Sequence, residues 1–113
     1  MVLSRVTATA NGVGIYVSGA NARVTLTDTV TGSNNYGVGA SSSAVMVRNS
    51  TVSNNAVGIA ADQNAIVRVG QTTITSNGVG WQGTNGGQVQ TYANNNVSGN
   101  VTDGTVSSTL ALQ

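Results

Sequence analysis

Apolar residues recur along the chain with two superimposed periods. Within short segments the period is two: Val45 and Val47 fall on one side of an extended segment, and Met46 and Arg48 fall on the other. Such alternation is typical of a β-strand with one buried face. Over the whole chain, small apolar residues flanked by hydroxyl-bearing residues recur at steps of 22, 22, 22 and 23 residues, at Ala8, Val30, Val52, Ile74 and Val97. A pattern found five times at one spacing indicates a structural repeat.

Each repeat predicts three short strands separated by polar turns, as at residues 37–40, 45–48 and 51–53. Such short strands cannot pair usefully within one repeat, but each can pair with its equivalent in the next, about 4.8 Å away. The prediction is an all-β, single domain over residues 1–113. It is a single-stranded right-handed parallel β-helix, or solenoid, of about five coils of roughly 22 residues with three parallel sheets. The first and last coils are expected to be incomplete or to act as caps.

Asparagine follows the apolar position in all five repeats, and glycine follows the asparagine in the first four, with Asp103 at that place in the fifth. The asparagines predict a ladder of stacked, hydrogen-bonded amides at Asn11, Asn34, Asn55, Asn77 and Asn100. A second polar row falls at Asp28, Asn49, Gln71 and Asn94. The glycines predict backbone with positive φ at Gly14, Gly37, Gly58 and Gly80. In the apolar column, Val52 is predicted to be buried between Val30 and Ile74.

Two segments carry a resemblance to a known superfamily. Asn-Ser-Thr-Val-Ser-Asn-Asn at 49–55 and Gly-Ile-Tyr-Val at 14–17 resemble the repeats of right-handed parallel β-helix proteins of the pectate-lyase-like superfamily. The resemblance extends from about residue 6 to residue 107. The superfamily includes pectate-lyase-like enzymes, phage tailspikes, alginate-epimerase-like proteins and passenger domains of secreted adhesins. It implies an extracellular or cell-surface location and a longer solenoid, of which this chain is a fragment.

Composition removes several classes of function. The chain has four Arg and three Asp but no Lys, Glu, His or Cys, so its net charge is only +1. This balance predicts no nucleic-acid partner. Nucleophilic triads and the usual zinc ligands are excluded, and we expect no metal site and no cofactor. Residues 1–5 contain no apolar run typical of a signal peptide, and no segment approaches the ~20 apolar residues needed for membrane insertion.

Charged residues offer only weak catalytic candidates, namely Asp28, Asp62, Arg48 and Arg68. The resemblance implies polysaccharide lyase or hydrolase chemistry, which uses clustered carboxylates. The repeat instead assigns Asp28, Asp62 and Asp103 to different corners of different coils, where Asp commonly serves in turns. Arg48 and Arg68 are predicted to project outward on adjacent coils, where they either bind a carboxylate or phosphate or are ordinary surface arginines.

The third strand of each repeat predicts two outward files of hydroxyl groups. They define a candidate surface-binding face at Thr7, Thr9, Thr29, Thr31, Thr51, Ser53, Thr73 and Thr75. Because Thr also suits strands in general, this face is either a lattice for ice or packed polysaccharide or plain strand surface. Among the aromatic residues, Trp81 is predicted to fill the core, with a sugar platform as the alternative. Tyr16 and Tyr36 are predicted to be too far apart to form one binding track.

Three functional hypotheses remain. The first is a non-enzymatic structural or adhesive segment that forms homo-oligomers through the open ends of the solenoid. The alternative is a carbohydrate-active module that binds an extracellular polysaccharide or cleaves it as a lyase or glycoside hydrolase. The third is an ice- or surface-binding protein that uses the Thr/Ser face.

Overall fold

A computed structural model describes residues 1–104 and 106–110 of the chain. In these residues all strands pair in parallel and form a solenoid of about five coils, as predicted. Strands are numbered β1 to β15 along the chain, and the sheets are named by the order of the strands within a repeat. The described residues contain no helix long and apolar enough to cross a membrane.

Three sheets surround the axis of the solenoid. Sheet 1 contains β3 (Val13–Ser18), β6 (Tyr36–Ser41), β9 (Val57–Asp62) and β12 (Val79–Gly83). Sheet 2 contains β1 (Val2–Ser4), β4 (Arg23–Thr27), β7 (Ala44–Arg48), β10 (Ile66–Gly70), β13 (Gln88–Thr91) and β15 (Ser108–Thr109). Sheet 3 contains β2 (Thr7–Thr9), β5 (Val30–Gly32), β8 (Thr51–Ser53), β11 (Thr73–Thr75) and β14 (Asn96–Ser98).

The core is a column of inward side chains from all three sheets. Leu26, Val47 and Val69 from sheet 2 stack in register and are buried, as is Ile59 from sheet 1. Trp81 is buried with them, which confirms its predicted place in the core. Because alternate residues of a strand point to opposite faces, the residues between these apolar ones form the outer surface.

The strand register corrects one predicted column. Ala8 pairs with Thr31, and Thr31 pairs with Val52, so the equivalent of Ala8 is Thr31 and not Val30. Val30 points outward and is 41% exposed. Val52 is buried as predicted, but its neighbours are Thr31 and Ile74. The prediction was wrong because one step is 23 residues and the next is 21, and a fixed step of 22 lands on the adjacent residue.

The predicted asparagine ladder is present at the corner between sheets 3 and 1 from Asn34 to Asn100. The fifth predicted member, Asn11, joins it only through its backbone N–H, which donates to Asn34 Oδ1 over 2.8 Å. Asn34 donates from Nδ2 to Asn55 Oδ1 over 3.1 Å, and Asn55 donates to Asn77 Oδ1 over 3.0 Å. Asn77 continues the ladder to Asn100. Each of these four amides also donates to a backbone carbonyl of the preceding coil. The second polar row forms two pairs: Asn49 with Asp28, and the Gln71 backbone with Asn94.

The recurrent glycines have a different reason from the predicted one. None of the four has positive φ. A Cβ atom on Gly58 would lie 2.5 Å from the carbonyl oxygen of Gly80 and 3.1 Å from Asn77 Nδ2. Glycine is therefore required because the next coil and its ladder amide approach closely. Positive φ instead recurs at other corners: Arg5, Asp28, Asn49, Gln71 and Ala93 after sheet 2, and Ala10, Ser33, Asn54, Ser76 and Gly99 after sheet 3.

The last coil keeps the repeat despite its divergent sequence. β13 pairs in register with β10, and Val89 is fully buried. The C-terminal tail, where the last coil is expected to be incomplete or to act as a cap, contributes β15, which pairs with β13. Within this tail, Thr105 and residues 111–113 lie outside the described residues.

Candidate functional site

The outer side of sheet 1 carries an open cleft of about 200 Å³. Two tyrosine rings stand in its lining: Tyr16 is 60% exposed and Tyr36 is 41% exposed. Gly39 contributes its backbone and Ala60 a methyl group to the lining, and Asp62 contributes a carboxylate. The remaining lining residues are Val13, Ala40, Gln82 and Thr84.

The strand register explains the shape of this cleft. Tyr16 pairs with Gly39, and Gly39 pairs with Ala60. A Cβ atom on Gly39 would lie only 3.1 Å from Tyr16 Cδ1, so the absence of a side chain there leaves room for the ring. The outward residues that follow Tyr16 across the sheet, Gly39 and Ala60, are therefore small. They form a flat floor of the cleft beside the aromatic ring of Tyr16.

The prediction that the two tyrosines are too far apart was wrong. Tyr36 is the first residue of β6 and pairs with Val13, so it belongs to sheet 1 and not to a turn. A sequence signal was present: Tyr36 directly precedes Gly37, as Val13 precedes Gly14 and Val57 precedes Gly58. Tyr36 and Tyr16 are offset by three positions along adjacent strands, and both rings line the same cleft.

Asp62 supplies the charge of the cleft. Its Oδ1 accepts hydrogen bonds from Asn85 Nδ2 over 2.8 Å and from Thr84 Oγ1 over 3.0 Å. These bonds from Asn85 and Thr84 lower the pKa of Asp62 below its ordinary value of 3.8. The carboxylate is therefore ionised at neutral pH, and it is the single charged residue in the four strands of sheet 1.

The two candidate arginines occupy separate positions on sheet 2. Both alternate with buried valines and face outward, as predicted. Arg48 pairs with Gly70 and lines a notch of about 230 Å³ with Tyr92. Arg68 instead donates from Nε to Gln90 Oε1 over 3.1 Å and lines clefts shared with Arg23. The two guanidinium groups therefore do not line a common cleft.

The candidate carboxylates are also separated. Asp28 follows sheet 2 at its corner with sheet 3 and accepts a hydrogen bond from Asn49. Asp62 precedes sheet 2 at its other corner, so a five-residue strand of about 17 Å separates the corners. Asp103 accepts a bond from Asn100 at the end of the amide ladder. Within the described residues, no three acidic, His or Cys side chains form a possible metal site.

The hydroxyl face on sheet 3 is interrupted. Thr7 and Thr9 are exposed, and four outward residues of β8 and β11 are partly exposed: Thr51, Ser53, Thr73 and Thr75. The outward position predicted for Thr29 and Thr31 is wrong, because both side chains are buried. Val30 and Gly32 occupy the two outward positions of β5 instead, so the second coil contributes no hydroxyl group to either file of the face.

Comparison with known proteins supports the fold. A family model described as "Right handed beta helix region" matches residues 1–111. No curated protein and no solved structure matches the chain significantly. Since the matched region covers nearly the whole parallel solenoid, the chain belongs to the right-handed β-helix family.

Proposed function

We propose that this protein is a non-catalytic polysaccharide-binding β-helix, with the sheet 1 cleft as its sugar site. The observation that carries the proposal is the exposure of Tyr16 and Tyr36 on one cleft with a flat floor. Aromatic rings present an apolar face with a polar tip, which suits a sugar ring with its apolar C–H face and peripheral hydroxyls. Clefts of this kind are the usual location of ligand sites.

Binding without cleavage is favoured by the positions of the carboxylates. Hydrolysis of a glycosidic bond commonly needs two carboxyl groups within about 10 Å. Asp62 is the one carboxylate lining the cleft, and Asp28 lies beyond the far edge of sheet 2. A rigid sheet that holds a sugar is what an adhesive segment needs. Self-association through the solenoid ends and ice binding by the sheet 3 face stay predictions.

Retention on insoluble polysaccharides tests the proposal. The unmodified protein should sediment with at least one of cellulose, chitin, insoluble chitosan or insoluble pectin. Tyr16→Ala and Tyr36→Ala should each weaken retention about tenfold, equivalent to about 1.4 kcal/mol. Tyr92→Ala on sheet 2 is the matched control and should have no effect.

Three results would contradict the proposal. The first is the absence of retention on every polysaccharide, and the second is an equal loss with Tyr92→Ala. The third is the release of new sugar ends from a soluble substrate, which would show that the protein cleaves the chain it binds.

A further inference from the structure

The sheet 1 cleft combines two aromatic rings with one negative charge. Tyr16, Tyr36 and Asp62 all line it, and no arginine does. Both side-chain donors of Asp62 bond to Oδ1, so among the described side chains Oδ2 has no donor. The backbone N–H of Gln63 also donates to this carboxylate. Because the two oxygens of a carboxylate together accept about four hydrogen bonds, Asp62 keeps the capacity to accept one from a ligand.

We propose that this cleft selects amino sugars that carry a free ammonium group over neutral and acidic sugars. The inference rests on the proposed function, because it names the substrate class of the same cleft. An ammonium group is attracted by the faces of tyrosine rings, and it forms a strong charge-assisted hydrogen bond with a carboxylate. The three groups together provide both interactions.

Other sugars fit this cleft less well for electrostatic reasons. A uronate or sulfate would place a second negative charge near Asp62 with no guanidinium in the lining to offset it. A neutral sugar would displace water from the carboxylate without replacing its charge interaction. The whole chain has a net charge of +1, so it does not attract a polycation non-specifically.

The proposal predicts a binding window in pH. Asp62 stays ionised to below pH 3.8, because its hydrogen bonds lower its pKa. Binding should therefore persist in mild acid and weaken as rising pH removes the proton from the amine of the ligand. Tyr16 and Tyr36 are the other titratable groups that line the cleft.

Calorimetric titration with two matched oligosaccharides tests the selectivity. One is a β-1,4-linked glucosamine oligomer, and the other is its fully N-acetylated counterpart of the same length. The unmodified protein should bind the glucosamine oligomer at least about tenfold more tightly. Asp62→Asn keeps the shape and an acceptor for Asn85 and Thr84, and it should abolish this preference. Asp28→Asn changes the net charge equally at a distant corner and should keep the preference.

The possible failures are distinguishable. Equal affinity for the two oligomers, or a preference that survives Asp62→Asn, overturns the selectivity and leaves polysaccharide binding intact. No binding of either oligomer, together with no retention on insoluble polysaccharides, overturns both the selectivity and the proposed function.

Discussion

The interior of the solenoid contains two contrasting polar features in adjacent coils. At the corner between sheets 3 and 1, the Asn55 side chain accepts from Asn34 and donates to Asn77 and to the Thr31 carbonyl. On sheet 3, the Thr31 hydroxyl is equally buried, with the residue 1% exposed, but among the described residues Oγ1 has no hydrogen-bond partner. The two groups lie close together, since a Cβ atom on Gly37 would be 2.8 Å from both.

The difference shows how a repeat makes buried polarity favourable. An amide has both an acceptor and two donor hydrogens, so identical amides stacked along the axis satisfy one another. A hydroxyl in the apolar column has Ala8 and Val52 as its neighbours along the axis, and neither offers a side-chain partner. The Asn55 amide and the Thr31 hydroxyl are thus equally buried. Burial of the partnered amide stabilises the fold, whereas burial of the unpartnered hydroxyl destabilises it.

The largest expected effect comes from breaking the amide ladder in the middle. Asn55→Ala leaves the backbone N–H and one side-chain hydrogen of Asn34 without an acceptor, and it removes the amide that donates to the Thr31 carbonyl. At about 1–3 kcal/mol for each buried group, we expect a loss of about 3–5 kcal/mol. That is a large part of a typical stability of about 5–15 kcal/mol.

Urea unfolding followed by circular dichroism measures this loss. Asn35→Ala is the matched control, because Asn35 lies next to the ladder and is exposed. Its change in unfolding free energy should stay within about 0.5 kcal/mol. Similar losses in the two variants would mean that the ladder has no special role in stability.

A smaller effect is expected from crowding the ladder without removing an amide. In Gly58→Ala, the added methyl group meets the Gly80 carbonyl and the Asn77 amide, and it should destabilise the fold by about 1–3 kcal/mol. Gly12→Ala is the control, since a Cβ atom there has no neighbour within 4 Å. If both variants have the same midpoint urea concentration of unfolding as the unmodified protein, the close approach between coils does not constrain these glycines.

The sequence predicted the ladder well because its geometry is recorded directly in residue spacing. A coil of constant cross-section places the same amide at the same corner, and only Asn meets that need in all five repeats. The reason for the glycines was harder to predict. Close contact between coils and positive φ both favour glycine, and the spacing alone does not distinguish them.

The errors on sheet 3 and at the cleft share one cause. Val30 looks like the core residue of its strand because it is apolar, while its neighbour Thr31 is polar. Counting three residues back from each ladder asparagine gives Ala8, Thr31, Val52, Ile74 and Val97, which is the observed register. Counting one residue back from each recurrent glycine gives Val13, Tyr36, Val57 and Val79, which places Tyr36 on sheet 1. Side-chain packing across coils, such as Tyr16 over Gly39, depends on that register.

The smallest expected effect is a gain in stability at Thr31. Thr31→Val replaces the unpartnered hydroxyl with a methyl group of similar size, so it should stabilise the fold by about 1 kcal/mol. Thr72→Val provides the contrast, because the Thr72 hydroxyl is just as buried but donates to the Gly70 carbonyl over 2.9 Å. That variant should lose about 1 kcal/mol.

Opposite signs for these two substitutions, measured by urea unfolding under identical conditions, would show that partnering decides the effect of a buried hydroxyl in this solenoid. A loss of stability in Thr31→Val would contradict the absence of a partner at Oγ1. It would indicate that a buried water molecule bonds that oxygen, since a water in a polar site can satisfy a group that no protein atom reaches. A gain in both variants would mean that apolar burial alone outweighs the hydrogen bond of Thr72.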